Sequence, residues 1–235
     1  MKNIYCTLDT ETFGGASRPK GIYHLGGIVH DRQCQILGTF NILVAEHFHE
    51  IAVDDYAKKN FDRYMDMVAN GTCTMVATED EAIAVVDHLL DYYGANVLMA
   101  FNTGFDYCKT ACRALLTEGR EFVDIYLMAC QCLATSTYAD FCREHDLLSR
   151  SKKCVATSAE SFYAYLTNNP EYSEEHTAFE DSLIEMAIFA ACIKTHKRFT
   201  RNCHFYDYEG KWGLIPPATP TPRTMSPFIE AVMAL

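Results

Sequence analysis

Alternating apolar and polar blocks over the first 44 residues are typical of three strands. Residues 3–9 form an apolar run rich in strand formers, and the glycines at positions 14 and 15 favour a turn after it. Residues 22–30 and 34–44 are two further strand-like runs. The polar connection at 31–33 is short enough to require an antiparallel hairpin. The chain is therefore predicted to begin with three consecutive strands.

The rest of the chain has mainly helical spacing, interrupted by two short strands. Apolar residues recur at helical intervals over 54–68, and residues 78–81 form a capping box before a helix over 82–93. Residues 96–101 and 122–127 are predicted as a fourth and a fifth strand, with a helical stretch between them. Beyond them the pattern is helical, and 178–194 is the longest predicted helix.

This order of elements predicts an α/β fold with a mixed five-stranded sheet flanked by helices. The segment 215–226 is rich in Pro and Thr, which excludes a regular helix and favours a surface arm. We therefore predict one domain over residues 1–200. A Pro-rich C-terminal arm over 201–235 is expected to pack on that domain or on a partner.

Composition narrows the class of protein. With 20 Lys+Arg against 31 Asp+Glu, the formal net charge is −11, and 49% of the residues are hydrophobic. Such a chain is expected to fold around a core, and its charge disfavours a protein that coats nucleic acid through phosphate neutralisation. It does not disfavour a nuclease, because bound metal ions bring their own positive charge.

Targeting and redox features indicate a cytoplasmic protein that has no membrane partner. Apolar runs fall short of the about 18 residues that a membrane helix needs, and the N-terminus becomes acidic before a signal-peptide core can form. The 11 cysteines are too dilute for a disulfide scaffold, and their spacings do not match a zinc site. We expect reduced thiols.

Acidic residues stand at the predicted ends of three elements. Asp9 and Glu11 are two apart at the end of the first strand, so their side chains share a face and repel each other unless a cation lies between them. A solvated strand end is the alternative. Asp106 follows the fourth strand, where an Asp is also a common helix N-cap. Asp181 opens the long helix, and His176 converges with it only from the preceding loop.

These groups resemble the three motifs of the DEDDh (DnaQ-like) 3′→5′ exonuclease family of the RNase H-like superfamily. The matching patterns are Asp-x-Glu, Asn-x-x-x-Asp and His-x-x-x-x-Asp, in that order along the chain. Segments 8–12 and 122–125 are also similar. The resemblance covers residues 1–200. It implies an RNase H-like fold and the release of nucleoside 5′-monophosphates from free 3′ ends.

The resemblance also implies a role for each matching residue. Two divalent metal ions, Mg²⁺ or Mn²⁺, would be held by Asp9, Glu11, Asp106 and Asp181. His176 would be the general base. The residues that would contact the terminal nucleotide are Thr10, Thr12, Gly14 and Asn102. Phe13 would either stack on the terminal base or belong to the core.

The chemistry of phosphodiester hydrolysis agrees with this interpretation. Two metal ions about 3.5–4 Å apart activate the attacking water and stabilise charge on the phosphoryl and leaving oxygens. Mg²⁺ and Mn²⁺ prefer oxygen ligands, and a histidine with a reference pKa of about 6.5 accepts a proton near neutral pH.

Several alternatives for the substrate and the function stay open. The expected partner is single-stranded DNA or a DNA 3′ end, with RNA or short oligoribonucleotides as the nearest alternative. An inactive nucleic-acid-binding module and a hydrolase of small nucleotides are further alternatives. A homodimer or a replication-protein partner is compatible with the sequence.

Three minor features have two interpretations each. Basic clusters at 150–153 and at 194–201 are either solvated faces or guides for a nucleic-acid backbone. Glu185 lies one helical turn after Asp181, so it either supports the site or is a surface residue. His47 and His49 have no third metal ligand at a recognisable spacing, which favours a solvated strand end or loop over a metal site.

Overall fold

The protein is described by a computed structural model for residues 3–15, 18–53, 57–107, 109–117 and 119–195, and for the backbone of two short strands beyond them. The strands of the main sheet are β1 Tyr5–Gly15, β2 Arg18–His30, β3 Ile36–Val44, β4 Thr74–Val76, β5 Val97–Ala100 and β6 Glu121–Asp124. They form one six-stranded sheet in the order β4-β3-β2-β1-β5-β6. The β1–β2 and β2–β3 pairs are antiparallel, and the other three pairs are parallel.

Helices connect and flank these strands. They are α1 Ala45–Val53, α2 Phe61–Ala69, α3 Glu79–Tyr93, α4 Thr103–Asp106, α5 Ile125–Cys132, α6 Ser136–Glu144, α7 Ala159–Thr167 and α8 Ala178–Lys194. Two 3₁₀ turns lie at Ala57–Asn60 and Ala111–Leu115. Two short antiparallel strands, β7 Phe205–Tyr206 and β8 Trp212–Gly213, follow α8.

The predicted α/β class and mixed sheet are confirmed, but the number of strands is wrong. The sheet has six strands, because residues 74–76 add a parallel edge strand beside β3. A three-residue strand is too short to show an alternating pattern in the sequence. The long helix over 178–194 is confirmed as α8.

The predicted end of the first strand is also wrong. β1 continues to Gly15, so Asp9 and Glu11 lie inside the strand. Register shifts after Glu11 and after Phe13 allow the strand to bend while it stays paired with β2. The glycines at positions 14 and 15, which favour a turn in the sequence, belong to the strand in the structure.

Local helix signals are largely confirmed. The Thr78 hydroxyl accepts a 3.2 Å hydrogen bond from the Glu81 N–H, as expected of an N-cap, and α3 begins at Glu79. His47 and His49 lie on helix α1, not in a strand end or loop. The predicted helix over 54–68 corresponds to α2, which begins at Phe61.

Two hydrophobic clusters hold the sheet and helices together. The larger one joins the central strands to α3, α5 and α8 and includes Leu8, Leu98 and Ile188. The smaller cluster consists of Tyr23, Leu43, Ile51 and Tyr64, from β2, β3, α1 and α2. It fixes α2 against the sheet.

The remaining predictions concern the thiols, the membrane and the C-terminal arm. The nine cysteines in the described part of the chain are free thiols. Within that part, no helix combines the length and the apolarity needed to cross a bilayer. The Pro-rich segment 215–226 and the basic residues beyond Lys194 lie outside the described residues.

Candidate active site

The three acidic groups of the sequence meet at the junction of β1, α4 and α8. Asp106 ends the short helix α4 and accepts a 2.6 Å hydrogen bond from the Thr10 hydroxyl. Asp181 lies in the first turn of α8. Single ligand atoms of Glu11, His176 and Asp181 lie within 4.8 Å of one another. Residues that are far apart in sequence therefore form one site.

Burial and mutual repulsion disfavour the charged forms of these acids. Desolvation raises the pKa values of Asp9 and Glu11 well above their usual range, and neighbouring carboxylates raise them further. Burial likewise raises the pKa of Asp106 to about 7, and burial with the nearby Asp9 charge raises that of Asp181 to about 9. A bound cation would favour the ionised forms of all four side chains.

The side chains fit a divalent metal ion. Asp181 Oδ1 and Glu185 Oε2 are buried and have no hydrogen-bond partner. Buried carboxylate oxygens without a partner are unfavourable unless a cation or a donor approaches them. Because the donors are carboxylate oxygens, the site suits Mg²⁺ or Mn²⁺ better than a thiophilic metal.

His176 lies on the loop before α8, as predicted, and its backbone is held from α2. The residue adopts a φ of 54°. Its carbonyl accepts hydrogen bonds from the Asn60 side-chain amide at 2.9 Å and from the Tyr64 hydroxyl at 3.3 Å. Asn60 also donates to the Glu175 carbonyl at 2.9 Å. The neighbouring Arg63 pairs with the carboxylates of Glu175 and Glu180.

The first turn of α8 is fixed directly on β2. The Ala178 N–H donates to His24 Nδ1 at 3.2 Å, and His24 Nε2 lies 2.6 Å from Asn41 Oδ1. Burial lowers the pKa of His24 to about 4, so the ring is neutral and accepts this hydrogen bond. In the β1–β2 register, His24 is opposite Glu11.

Gly26 allows the helix to approach the sheet. It is opposite Asp9 in the register, and a Cβ at this position would lie 2.2 Å from the backbone nitrogen of Phe179. Any side chain here would displace the start of α8. Gly26 therefore sets the distance between the acids of β1 and Asp181.

A cleft of about 540 Å³ opens onto the acids. Asp9, Asp181 and Glu185 form its acidic wall, and Glu174 adds a fourth carboxylate. Phe101 and Tyr126 form an aromatic wall, with ring centroids 5.5 Å apart in an edge-to-face arrangement. The cleft thus combines a site for cations with a surface for a planar group.

The predicted nucleotide-contacting residues have different environments. Thr10 is buried and its hydroxyl binds Asp106, whereas Asn102 is exposed and lines the cleft. Phe13 packs against the His47 ring, with centroids 4.9 Å apart, and against the smaller cluster. Thr12 is half-buried and Gly14 is exposed, with a φ of 90°.

Several residues that shape the site have no recognisable signal in the sequence. Asn60 and Tyr64 are more than 110 residues from His176, and no local pattern connects them. Glu174 precedes the histidine motif and shows no distinguishing spacing. Tyr126 follows β6 and could have been noticed only as an aromatic residue at a strand end.

Comparison with known proteins identifies the fold. No protein-family model and no curated protein matches the sequence. A full-length 3′-exonuclease superposes with a TM-score of 0.56 and 12% identity over 94% of both chains. Together with the mixed sheet and its flanking helices, this likeness defines an RNase H-like α/β fold.

Two further structures are similar over smaller parts of their own chains. Cell-death related nuclease 4 gives a TM-score of 0.48 at 14% identity, covering 82% of this chain and 64% of that one. Exonuclease I of E. coli, in complex with a dA16 oligonucleotide, gives 0.44 at 14% identity, covering 83% and 41%. This protein therefore spans less than two thirds of the length of either.

Proposed function

We propose that this protein is a metal-dependent 3′→5′ exonuclease of the DEDDh class. It hydrolyses phosphodiester bonds from free 3′ ends of DNA, preferably single-stranded, and releases nucleoside 5′-monophosphates. The observation that carries the proposal is the convergence of Asp9, Glu11, Asp106 and Asp181 with His176 on an RNase H-like sheet. The proposed catalytic domain is residues 1–200.

The carboxylates are proposed as the ligands of two divalent ions. Asp9, Glu11, Asp106 and Asp181 would hold these ions. When bound, Mg²⁺ or Mn²⁺ would supply positive charge for the phosphoryl and leaving oxygens and lower the pKa of water. The Thr10 hydroxyl orients Asp106 for this role.

His176 is proposed as the general base. Its ring nitrogen lies within 4.8 Å of both Glu11 and Asp181 oxygens, so it would reach a water held between these acids and remove its proton. The imidazole takes the proton as the water oxygen bonds to phosphorus and the 3′ oxygen leaves. Asn60 and Tyr64 keep the histidine at this position through its carbonyl.

The cleft fits an unpaired terminal nucleotide. The edge-to-face pair of Phe101 and Tyr126 offers a surface on which a base can stack, beside the carboxylates that would flank the scissile phosphate. A paired end must first fray, which requires a few kcal/mol. Single strands are therefore the preferred substrate.

The basic cluster at 150–153 is proposed to guide the nucleic-acid backbone. These four residues are exposed. The Leu148–Val155 bridge closes the loop that carries them, and Thr157 and Ser158, just beyond it, line the cleft. A strand leaving the cleft past Ser158 would meet positive charge in an otherwise acidic protein.

A substrate panel tests the polymer and the end that are used. Purified protein is incubated with 5′-labelled single-stranded and duplex DNA, RNA and a closed DNA circle, each with Mn²⁺, Mg²⁺ or EDTA. We expect linear single-stranded DNA to shorten stepwise from its 3′ end with either metal and to stay intact in EDTA. Faster shortening of RNA would reassign the polymer. Cleavage of the circle would contradict exonuclease activity.

A further inference from the structure

A fifth acid, Glu185, lies among the proposed metal ligands. It follows Asp181 by one turn on α8, and only 3% of its surface is exposed. It lines the cleft together with Asp9 and Asp181. The charged groups that act most strongly on it are the carboxylates of Asp9, Asp106 and Asp181. Glu185 is therefore not a surface residue.

One oxygen of the Glu185 carboxyl group, Oε2, is buried and has no hydrogen-bond partner. The Phe101 N–H at the end of β5 favours the charged form of this group. The side chain thus lies in the acidic wall of the cleft with an unpartnered oxygen.

This arrangement is difficult to explain by packing. Ile184 and Ile188, its neighbours on the same helix, are buried in the hydrophobic core. An aliphatic residue at 185 would avoid burying a carboxyl group beside three others.

We infer that Glu185 is a fifth carboxylate of the metal site and that its Oε2 is a metal ligand. The inference rests on the proposed function, since it assumes that the acids hold metal.

Binding of Mn²⁺ to the whole chain without substrate tests the inference. Free Mn²⁺ is measured by electron paramagnetic resonance during titration of wild type, Glu185→Gln and Glu144→Gln. Glutamine keeps the length and shape of the side chain but removes its negative charge. Glu144 is an exposed residue at the end of α6, so its variant controls for the loss of one charge.

We expect wild type and Glu144→Gln to bind two ions. Glu185→Gln should bind one of them about 10–100-fold more weakly and keep the other, with an unchanged circular dichroism spectrum. Equal binding by Glu185→Gln and wild type would overturn the inference and leave the proposed function intact. Failure of the wild type itself to bind Mn²⁺ would instead overturn the proposed function.

A second variant covers the case in which Glu185→Gln does not fold. Glu185→Asp keeps the charge but withdraws the oxygens by one methylene. If Oε2 is a ligand, this variant should also bind the affected ion at least about tenfold more weakly. Wild-type affinity in Glu185→Asp would count against a ligand at this position.

Discussion

The hydroxyl of Thr10 donates a 2.6 Å hydrogen bond to Asp106, across 96 residues of sequence. Both side chains are buried. Because Thr10 stands between Asp9 and Glu11 on β1, this bond ties the strand with the first acids to the helix with the third. The position of Asp106 is thus set by β1 as well as by its own helix.

Thr10→Val should weaken this connection without opening a cavity. Removal of the donor is expected to destabilise the protein by about 1.5–3 kcal/mol, the range for hydrogen bonds to charged groups, and to lower Mn²⁺ affinity. Urea unfolding at pH 8 measures the loss, with Thr39→Val on the exposed face of β3 as the control. A double-mutant cycle that combines Thr10→Val with Asp106→Asn should give a coupling energy that differs from zero. Strict additivity would contradict the role of the bond.

The hydrogen bonds to the His176 carbonyl predict an effect on turnover that is separate from metal binding. Asn60→Ala removes hydrogen bonds to the carbonyls of residues 175 and 176, so the histidine should lose its fixed position while the metal ligands stay in place. We expect a lower kcat with unchanged Mn²⁺ binding. His176→Ala should lower kcat by about 10²–10⁴.

A double variant, Asn60→Ala with His176→Ala, tests whether Asn60 acts only by positioning His176. If Asn60 acts only through His176, then Asn60→Ala should have little further effect on kcat in the His176→Ala background. If the two substitutions lower the single-turnover rate by factors that multiply in the double variant, Asn60 acts by another route.

Gly26 and Gly27 form a matched pair for testing the approach of α8. A Cβ on Gly26 would lie 2.2 Å from Phe179 N, whereas one on Gly27 would meet the Phe40 ring at 2.2 Å. Both alanine variants should lose about 1–3 kcal/mol through overpacking. Only Gly26→Ala should also lose Mn²⁺ affinity, since it displaces Asp181. Equal Mn²⁺ affinity in the two variants would contradict this placement of the helix.

The raised carboxyl pKa values predict how stability depends on pH without metal. In the folded state the pKa is about 7 for Asp106 and about 9 for Asp181, both above their unfolded values. The folded protein therefore binds more protons than the unfolded chain near neutral pH, and its stability falls as pH rises. His24, with a pKa of about 4, acts in the opposite direction only below about pH 6.5.

The measurement is Tm between pH 6.5 and 8.5 in EDTA and in Mn²⁺. We expect Tm to fall with pH in EDTA and to change much less with Mn²⁺, which favours the ionised carboxylates. Asp181→Asn should flatten the EDTA curve. A Tm that rises with pH in EDTA would show that these acids are not buried together.

The sequence predicted which acids would come together better than it predicted the structure around them. Asp9, Glu11 and Asp181 belong to short patterns whose spacing is local, and the α8 bounds follow from a long apolar pattern. The extent of β1 depends on bulges that pair it with β2, which residues 3–15 alone do not specify. Contacts from Asn60 and Tyr64 to His176 join distant segments and have no local signature.

Helix periodicity alone did not show whether Glu185 lies in the site or on the surface. Its spacing from Asp181 predicted a shared face, but α8 buries residues around much of its circumference, including Ser182, Ile184 and Phe189. The pattern therefore did not decide whether that face points to solvent or to the site. The unpartnered Oε2 became visible only with the neighbouring acids in place.

The central claim is tested most directly by following 5′-labelled single-stranded DNA over time with Mn²⁺, using wild type and Asp9→Asn purified in parallel. Asp9 is central to the acidic site, and its neutral variant should fold and gain stability without metal, because the cost of burying a carboxyl group and its repulsion with Asp106 are removed. The account predicts stepwise 3′ shortening by wild type and none by Asp9→Asn. Equal shortening by both proteins, or none by either, would contradict it.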